Sequence, residues 1–509
     1  MFAASAFGSA AIDYVALLPV ILVALGALGI LVADLFLSDE RKPLLNWAAC
    51  AVLVAALAAE LGLWFSRTRQ ARTTFCVPVP GHLNLTSGLC SYSVDSLSLT
   101  LQTVAIGGTI LVVLMSSRLR QQHSGHSVFG EYHFLILCSL TGALVMVAAR
   151  DFITMTVALE TLSLPAFALV GFGRLAGGEA ALKFFLMSVT STAVMLFGIS
   201  LVYGVTGSVY FNGINAALSN GGPRMPVLAV GIVLSLVGFA FKVSAVPFHF
   251  WIPEVYEGAP LPVAAYLSVV SKTAGFAGLI LSIEIAFSSY LSSVATLIAV
   301  LAALTMTVGN VVALRQSSVV RLLAWSSIGQ AGYVLVPLAV TSVLHSSEAI
   351  GASVGYLVLY AVMNLGAFAT VNLLAVNEGS AHNLADYRGL YRTRPRVALP
   401  LGFFLLCLAG LPPGLMGLFA KVAVIRAVVD GGPLWLAVIV AVNIVIGLFY
   451  YLRWIGLLFA PSTTLASSPA GAPIRWTRTP LALRLAVLLP FLGAIVFSVY
   501  PDPALWLAL

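Results

Sequence analysis

Long apolar runs separated by short polar segments recur from one end of the chain to the other. A run of about 18 or more such residues can cross the hydrocarbon core of a bilayer as a helix, and about fourteen runs of this kind can be counted. The pattern therefore predicts an all-α, polytopic membrane protein of about fourteen transmembrane helices. The segments between the spans are too short to hold a soluble catalytic domain, so redox or nucleotide chemistry would have to reside in another chain.

The composition agrees with a membrane protein. Hydrophobic residues make up 60% of the 509 positions and charged residues only 8%, which no ordinary soluble domain shows. The first apolar stretch lacks a basic start and a small-residue cleavage site, so we expect it to be retained. Most basic loop residues follow odd-numbered spans, which predicts cytoplasmic odd loops and both termini on the outer side of a bacterial plasma membrane. This topology explains the net charge of +7 without a nucleic-acid partner.

Cys76 and Cys90 share the longest outward loop, residues 67–93. An oxidising compartment would allow a disulfide there, and two free thiols are the alternative. The cysteine spacing indicates neither a zinc site nor an iron–sulfur cluster. The stretch "GFGRLAG" at Gly171 matches a dinucleotide fingerprint in letters, but it follows no strand and carries no such function.

Three histidines, His123, His126 and His133, lie near one cytoplasmic loop. Histidine is a common metal ligand, but three residues in a polar loop are more typical of a solvated segment than of a metal centre. We therefore expect them to be solvated, with no metal bound.

Four of the five lysines fall inside apolar spans, whereas the arginines lie in loops or at span ends. Desolvation lowers the pKa of a lysine so that it can exchange a proton, while an arginine stays charged. An ionisable side chain at the bilayer centre costs roughly 2.5–3.5 kcal/mol, so such residues indicate a path for protons or ions. Lys242, Lys272 and Lys421 lie deep in their spans. Lys183 lies only a few residues into its span, so snorkelling to the interface is an equal alternative.

Glu160 is the only acid near the middle of a span. A buried cation needs a partner, which predicts an ion pair between Glu160 and Lys242, either as part of a proton path or as a static lock between two helices. Asp34, Glu60 and Glu284 lie close to span ends, where we expect water or headgroups to solvate them.

Spans seven and twelve contain helix-breaking residues beside their lysines. Pro247 and Pro253 follow Lys242, and "LAGLPPG" precedes Lys421. Non-helical backbone at membrane depth is tolerated only where it is buried in protein or lines a wet cavity, so both breaks indicate a cavity. His249, inside the first break, would either join a proton relay or cap broken backbone.

The two broken spans are five apart, and an odd offset reverses the direction in which the chain crosses the membrane. The pattern thus predicts two inverted five-helix repeats with discontinuous helices 7 and 12. The predicted units are helices 1–3 (residues 1–130), repeat 1 (131–288), repeat 2 (289–460) and the C-terminal loop with helix 14 (461–509).

Several stretches of the sequence resemble those of a known protein family. The runs "FKVSAVPFHFWIPEVYEGAP" and "RLLAWSSIGQAGYVLV" look like the antiporter-like membrane subunits of the proton-translocating NADH:quinone oxidoreductase, respiratory complex I. "GYLVLYAVMNLGAFAT" and "LADYRGLYRTRPRVAL" resemble the N branch of that family rather than its L and M branches. The resemblance covers roughly residues 130 to 455.

The resemblance implies a translocase subunit of a redox enzyme that binds no flavin, cluster, quinone or metal itself. FMN, iron–sulfur clusters and quinone would lie in partner chains, and the neighbours would be subunit M and the small subunits K and J within the lipid bilayer. A relay of Glu160, Lys242, Lys272 and Lys421, with Lys183 and His249 as further candidates, would move protons when quinone is reduced elsewhere. Polar residues that could connect Lys272 with Lys421 are Ser271, Thr273, Tyr356, Tyr360 and Asn364. The alternatives are a subunit of an Mrp-type cation/proton antiporter and a structural spacer with inert charges.

Overall fold

A computed structural model describes residues 12–66, 71–78, 88–118, 129–173, 177–219, 226–341, 346–378, 383–461 and 480–502. His123, His126 and residues 174–176 of the "GFGRLAG" stretch lie outside these ranges. Within them, thirteen helices are long and apolar enough to cross a membrane. The predicted span at 397–428 is divided into two shorter helices, Pro395–Ala409 and Leu415–Gly431. With it, the architecture agrees with the about fourteen spans expected from the sequence.

The helices are numbered in chain order. They are α1 (Tyr14–Phe36), α2 (Leu44–Phe65), α3 (Ser96–Met115), α4 (Phe129–Ala148), α5 (Phe152–Gly171), α6 (Gly177–Thr206), α7 (Phe211–Ser219), α8 (Pro226–Val243), α9 (Trp251–Gly258), α10 (Leu261–Tyr266), α11 (Lys272–Leu281), α12 (Leu291–Ala313), α13 (Val319–Leu338), α14 (Ser346–Glu378), α15 (Leu390–Thr393), α16 (Pro395–Ala409), α17 (Leu415–Gly431), α18 (Leu434–Phe459) and α19 (Leu481–Val499). The π-helical segment Leu267–Ser271 joins α10 to α11, and a second one, Ser282–Ala286, extends α11, so Leu261–Ala286 forms one continuous span.

Polar side chains fix where several spans begin. The carboxylates of Asp13, Asp95 and Asp151 accept hydrogen bonds from the first backbone amides of α1, α3 and α5, and the hydroxyl of Ser318 does the same for α13. These amides have no partner within their own helix, so an N-terminal Asp or Ser satisfies them. A short polar loop residue is therefore enough to start each apolar helix.

The fold contains one small β-sheet that the all-α expectation omitted. Strands β1 (Arg72–Val77) and β2 (Leu89–Val94) pair antiparallel, with Cys76 directly opposite Cys90. The two cysteines form a disulfide, so the disulfide alternative is confirmed and the free-thiol alternative is wrong. The strands are rich in β-branched and aromatic residues, which suit a pleated surface, but they are too short to stand out beside the long apolar runs.

The hairpin is attached to the ends of neighbouring spans. The Arg150 amide donates to the Ser91 carbonyl at 2.8 Å, and the Arg150 guanidinium pairs with Asp95 at 2.6 Å. Burial raises the pKa of the Asp95 carboxyl, but the Arg150 guanidinium and the Ser98 amide outweigh that effect and hold the pKa below its usual value. Asp95 is therefore ionised at neutral pH, and the ion pair ties the hairpin to the start of α3 and the loop after α4.

Small residues let the spans approach closely. A Cβ atom at Gly142 on α4 would meet the α5 backbone, including the Ala158 carbonyl oxygen at 2.7 Å, whereas a Cβ at Gly29 on α1 would meet nothing within 4 Å. Packing between membrane helices depends on such close contacts because lipid supplies no hydrophobic drive for helix association.

Gly142→Ala is therefore expected to destabilise the α4–α5 contact by about 1–3 kcal/mol, the usual cost of overpacking. Thermal inactivation of the detergent-solubilised protein would measure the loss, and Gly29→Ala serves as the matched control in an open position. Equal stability of the two variants would contradict the close approach of α4 and α5.

Expectations about three polar residues are wrong. His133 is fully buried on α4, where its Nε2 lies 3.2 Å from the Asn46 side-chain oxygen and its Nδ1 lies 2.6 Å from the Phe129 carbonyl, so it is not part of a solvated loop. Glu60 is likewise fully buried rather than solvated at its span end. His133 lies on the face of α4 that turns towards Asn46 on α2, which its position near a loop in the sequence does not reveal. Asp34 is also buried rather than solvated, and its carboxylate pairs with Lys42 at 3.5 Å.

Candidate proton-transfer site

The predicted break in span seven begins one residue after α8. Ser244 adopts the left-handed region with φ 65°, and the chain turns through Ala245–Phe250 before α9 begins. The Phe241 carbonyl accepts from the Ser244 amide and from the Trp251 indole, each at 3.0 Å, and the Val246 amide donates to the Thr305 hydroxyl at 2.9 Å. Side chains thus supply hydrogen-bond partners to backbone groups at the break.

A second break of the same form separates α16 from α17. Gly410 follows the last residue of α16 with φ 79°, and Pro413 stands three residues later, as Pro247 stands three residues after Ser244. Both prolines follow cis peptide bonds. A left-handed residue ends many helices because it turns the chain away from the helix axis, and glycine adopts it without a steric cost.

Lys242 is buried in the last turn of α8, with 1% of its surface exposed. Its amine donates to the Ser163 hydroxyl at 2.9 Å and lies 5.7 Å from the ring centre of Phe184. Glu160 is half-buried one turn before Ser163 on α5, and its carboxylate accepts from the Thr192 hydroxyl at 2.8 Å. Within the described part of the chain, no direct ion pair joins Glu160 to Lys242, because each side chain is held by a neighbouring hydroxyl.

Lys272 opens α11 next to the π-helical segment and is 1% exposed. Its amine donates to the Ser327 hydroxyl at 2.6 Å and to the Ser327 carbonyl at 2.7 Å. One turn further along α11, a Cβ atom at Gly275 would lie 3.0 Å from the Lys242 Cβ. The absence of a side chain at Gly275 therefore lets α11 approach Lys242, so that two buried lysines lie on adjoining helices.

Hydroxyl and amide groups extend from Lys272 into the second half of the chain. The Tyr360 hydroxyl donates to Ser327 at 3.0 Å, and one turn along α14 the Tyr356 hydroxyl donates to Gln330 at 2.5 Å. The Gln330 amide in turn donates to the Tyr451 hydroxyl at 3.2 Å. These two sets of hydrogen bonds lie one turn apart on α14, and each holds polar groups in place inside an apolar bundle.

The other polar residues predicted to connect the lysines lie near these hydrogen bonds. The Asn364 amide donates to the Ser268 hydroxyl at 2.7 Å, one turn before Lys272. The hydroxyls of Ser271 and Thr273 are buried and have no protein partner among the described residues. These two groups flank Lys272 in the sequence, so their hydrogen-bonding capacity is unused beside the lysine.

Lys421 is 4% exposed on α17 and reaches back into the break. Its amine donates to the carbonyls of Leu408 at 3.0 Å and Ala409 at 2.5 Å, which are the last two carbonyls of α16. The lysine therefore caps the first half of the broken span. A protonated or a neutral amine can supply both donors, so the contact is compatible with either charge state.

The two further relay candidates have different surroundings. Lys183 is 42% exposed and pairs with Glu179 at 2.9 Å and with Glu254 at 2.8 Å, which agrees with the interfacial alternative rather than with a buried relay. His249 is 4% exposed inside the first break, and its ring lies tilted against Phe250 and edge-on to Trp325. Its Nδ1 has no hydrogen-bond partner among the described side chains.

The charged members of the site were predictable from the sequence, whereas the hydroxyls that hold them were not. Ser163, Thr192 and Ser327 contact Glu160, Lys242 or Lys272, yet single serines and threonines are common in membrane helices and mark no position by themselves. Only Ser163 carries a signal in the sequence, because it lies three residues after Glu160 and so on the same face of one helix.

No group of three His, Cys, Asp or Glu side chains within the described ranges could hold a metal ion.

Thirteen helices among the described residues that are long enough to cross a membrane, two breaks beside lysines and three deeply buried lysines define the class of an antiporter-like membrane subunit. The comparison with protein families agrees, since the profile described as "NADH:quinone oxidoreductase/Mrp antiporter, TM" matches residues 149–447. Similar curated proteins include "NADH-quinone oxidoreductase subunit N 2" of Streptomyces griseus, which is 51% identical over 97% of this chain and 93% of its own length. "NADH-quinone oxidoreductase subunit N" of Salinispora tropica is 42% identical over 88% of this chain and 86% of its own.

Solved structures share the fold over nearly the whole chain. A chain of respiratory complex I from Thermus thermophilus with bound aureothin has a TM-score of 0.71 and 28% identity, covering 96% of this chain and 98% of that one. A chain of the Mrp complex from Dietzia sp. has a TM-score of 0.82 with 21% identity, over 98% of this chain and 96% of that one, and this likeness concerns the fold alone. The chain belongs to the NADH:quinone oxidoreductase/Mrp antiporter family, in the branch of NADH-quinone oxidoreductase subunit N.

Proposed function

We propose that the chain is a proton-translocating subunit in the membrane arm of an NADH:quinone oxidoreductase, located in a bacterial plasma membrane with both termini outside. Its neighbours would be the antiporter-like subunit M and the small subunits K and J. Partner chains would hold FMN, iron–sulfur clusters and quinone, so this chain would do no redox chemistry of its own. The relatives named above support assignment of the chain to an NADH:quinone oxidoreductase. The likeness to the Mrp complex supports the antiporter alternative only through a shared fold.

The relay we propose runs Glu160, Lys242, Lys272 and Lys421. The observation that carries it is the burial of the three lysines, whose amines donate hydrogen bonds to neutral groups only. Lys242 donates to a serine hydroxyl, Lys272 to the hydroxyl and carbonyl of one serine, and Lys421 to two backbone carbonyls. Neutral hydrogen-bond partners allow an amine to lose its proton without breaking a direct ion pair. A static ion pair would resist that loss.

Coupling between the lysines would be electrostatic. Lys242 and Lys272 lie on adjoining helices that touch at Gly275, so a proton on one amine raises the cost of a proton on the other. Quinone reduction in a partner chain would change the charge near Glu160, and Lys242 would respond first. Ser163 and Thr192 keep Glu160 and Lys242 in place without neutralising either charge.

The matching breaks also support the proposed inverted repeat. In each, a residue with positive φ ends a helix and a proline stands three residues later, in spans that are five apart. Two related five-helix units would place one proton-accessible break on each side of the central lysine.

Glu160→Gln tests the relay at its start. Glutamine keeps an oxygen for the Thr192 hydroxyl but removes the negative charge beside Lys242. Unit charges several ångströms apart at an effective dielectric of about 20 interact by a few kcal/mol, so proton transfer through this chain is expected to slow on the order of tenfold or more. The measurement is proton uptake per NADH oxidised by the whole complex in sealed vesicles.

Glu179→Gln, which removes an exposed acid from α6, is the matched control and should leave that ratio unchanged. An unchanged ratio in the Glu160 variant, with the complex fully assembled, would reject the relay while leaving membership of the complex intact.

A further inference from the structure

Three segments of the chain converge at one end of the helix bundle. They are the link from α12 into α13 (314–321), the segment that leads into α16 (383–396) and the end of α18 with the residues after it (453–461). The Leu384 amide donates to the Ser317 carbonyl at 2.8 Å, and the Gly389 amide donates to the Leu457 carbonyl at 3.0 Å. Backbone hydrogen bonds therefore fix the middle segment against both of the others.

The three segments concentrate positive charge on the surface. They carry one acid in their sequence, Asp386, whose carboxylate accepts from the Asn383 amide at 3.0 Å. Arg321 is paired with Glu257 of α9 at 2.8 Å. The exposed arginines, called here the arginine patch, are Arg315, Arg388, Arg392, Arg396 and Arg453. The positive-inside bias explains basic residues on one side of a membrane, but it does not require them to converge at one place.

Two guanidinium groups of the arginine patch are held by backbone carbonyls. Arg388 Nε donates to the Pro461 carbonyl at 2.9 Å, and Arg453 Nη1 donates to the Leu314 carbonyl at 3.3 Å. A guanidinium has five N–H donors, so each of the two can still donate to another ligand. Its planar fork of donors matches two oxygens of one phosphate group. The patch therefore presents partly oriented phosphate-binding groups.

Exposed aromatic and apolar side chains adjoin the arginine patch. Tyr391 and Phe459 are 41% and 47% exposed, and their ring centres lie 4.9 Å apart. Exposed aromatic side chains at span ends are typical of the interface between membrane and water. Further into the spans, Leu399 on α16 and Leu452 on α18 are also exposed. A ligand that matches both features has an anionic head and an apolar tail, whereas a soluble anion would use the arginines alone.

We propose that the arginine patch binds the headgroup of an anionic phospholipid. The phosphate lies on the guanidinium groups, and the acyl chains follow the exposed apolar surfaces of α16 and α18. Basic surfaces at the ends of membrane helices recognise anionic headgroups in this way. Because the patch is built from three segments, a bound lipid also ties the ends of α12 and α18 to the starts of α13 and α16. The inference requires only that the chain lies in a bilayer and does not depend on the proposed relay.

Native mass spectrometry of the delipidated full-length protein tests the proposal, with phosphatidylglycerol and phosphatidylcholine titrated separately. Phosphatidylglycerol is expected to bind about tenfold more tightly or better, because only this lipid carries a net negative charge. Raising the salt concentration should weaken its binding and leave that of phosphatidylcholine unchanged. This comparison uses the wild-type protein, so it does not depend on the folding of any variant.

Arg392→Gln combined with Arg396→Gln removes two exposed charges from the arginine patch. The double variant should bind phosphatidylglycerol about tenfold more weakly or worse and bind phosphatidylcholine as before. Lysine at both positions should restore part of the affinity, since it keeps the charge but lacks the planar fork. Arg41→Gln combined with Arg426→Gln, which removes two exposed arginines outside the three segments, is the matched control and should bind like the wild type.

Three results would each overturn the proposal. The first is equal affinity of the wild type for the two lipids at low salt. The second is an equal loss of phosphatidylglycerol binding in the patch variant and in the control variant, which would indicate a general effect of charge. The third is displacement of bound phosphatidylglycerol by inorganic phosphate at constant ionic strength, which would assign the patch to a soluble anion.

Discussion

Replacing Lys272 by methionine is expected to abolish proton movement through this chain while the complex still assembles. Methionine fills a similar volume without a titratable group, and loss of a proton-transfer group slows such a step by about 10²-fold or more. Removing a buried amine held only by Ser327 should cost little stability, because a desolvated charge replaced by an apolar side chain is often neutral or stabilising. Proton uptake per NADH oxidised, compared at equal amounts of assembled complex, gives the result.

Lys183→Met provides the matched control for that experiment. It removes a lysine from the same chain, but one that is exposed and paired with two surface carboxylates. Proton uptake should stay at the wild-type level in this variant. A Lys272 variant that pumps as well as the Lys183 variant would favour the structural-spacer alternative, in which buried charges have no role.

The spans were predictable because each rests on a local property. An apolar run of sufficient length forms a helix in lipid whatever surrounds it, since every backbone group must be satisfied within the segment. The same reasoning located the breaks beside Lys242 and Lys421, because proline and glycine act on their own backbone. The hairpin escaped detection because strands of six residues depend on pairing with a partner 14 residues away, here reinforced by a disulfide.

The partners of the charged groups could not be predicted, since they depend on how helices rotate against one another. Opposite charge suggested a direct pair of Glu160 with Lys242, yet the structure places a hydroxyl beside each. Position near a span end suggested that Glu60 is solvated, yet its side chain is fully buried. In both cases the missing information is the face that a residue presents to its neighbours.

Lys421 has two roles to separate, because its amine both caps α16 and lies on the proposed relay. Lys421→Met removes the donors from the Leu408 and Ala409 carbonyls. Each unsatisfied buried carbonyl costs about 1–3 kcal/mol, so the variant is expected to lose thermal stability as well as proton movement through this chain. Thermal inactivation of the complex and proton uptake per NADH oxidised measure the two effects.

Lys421→Arg distinguishes the roles. Arginine carries enough N–H donors to bond both carbonyls, so stability should recover relative to the methionine variant. Because a guanidinium keeps its charge at any working pH, proton movement through the chain should remain lost. Normal pumping by a stable arginine variant would mean that Lys421 serves only to cap the broken helix. A stable variant that fails to pump would require an amine that releases its proton at the second break, as we propose for Lys272 at the centre.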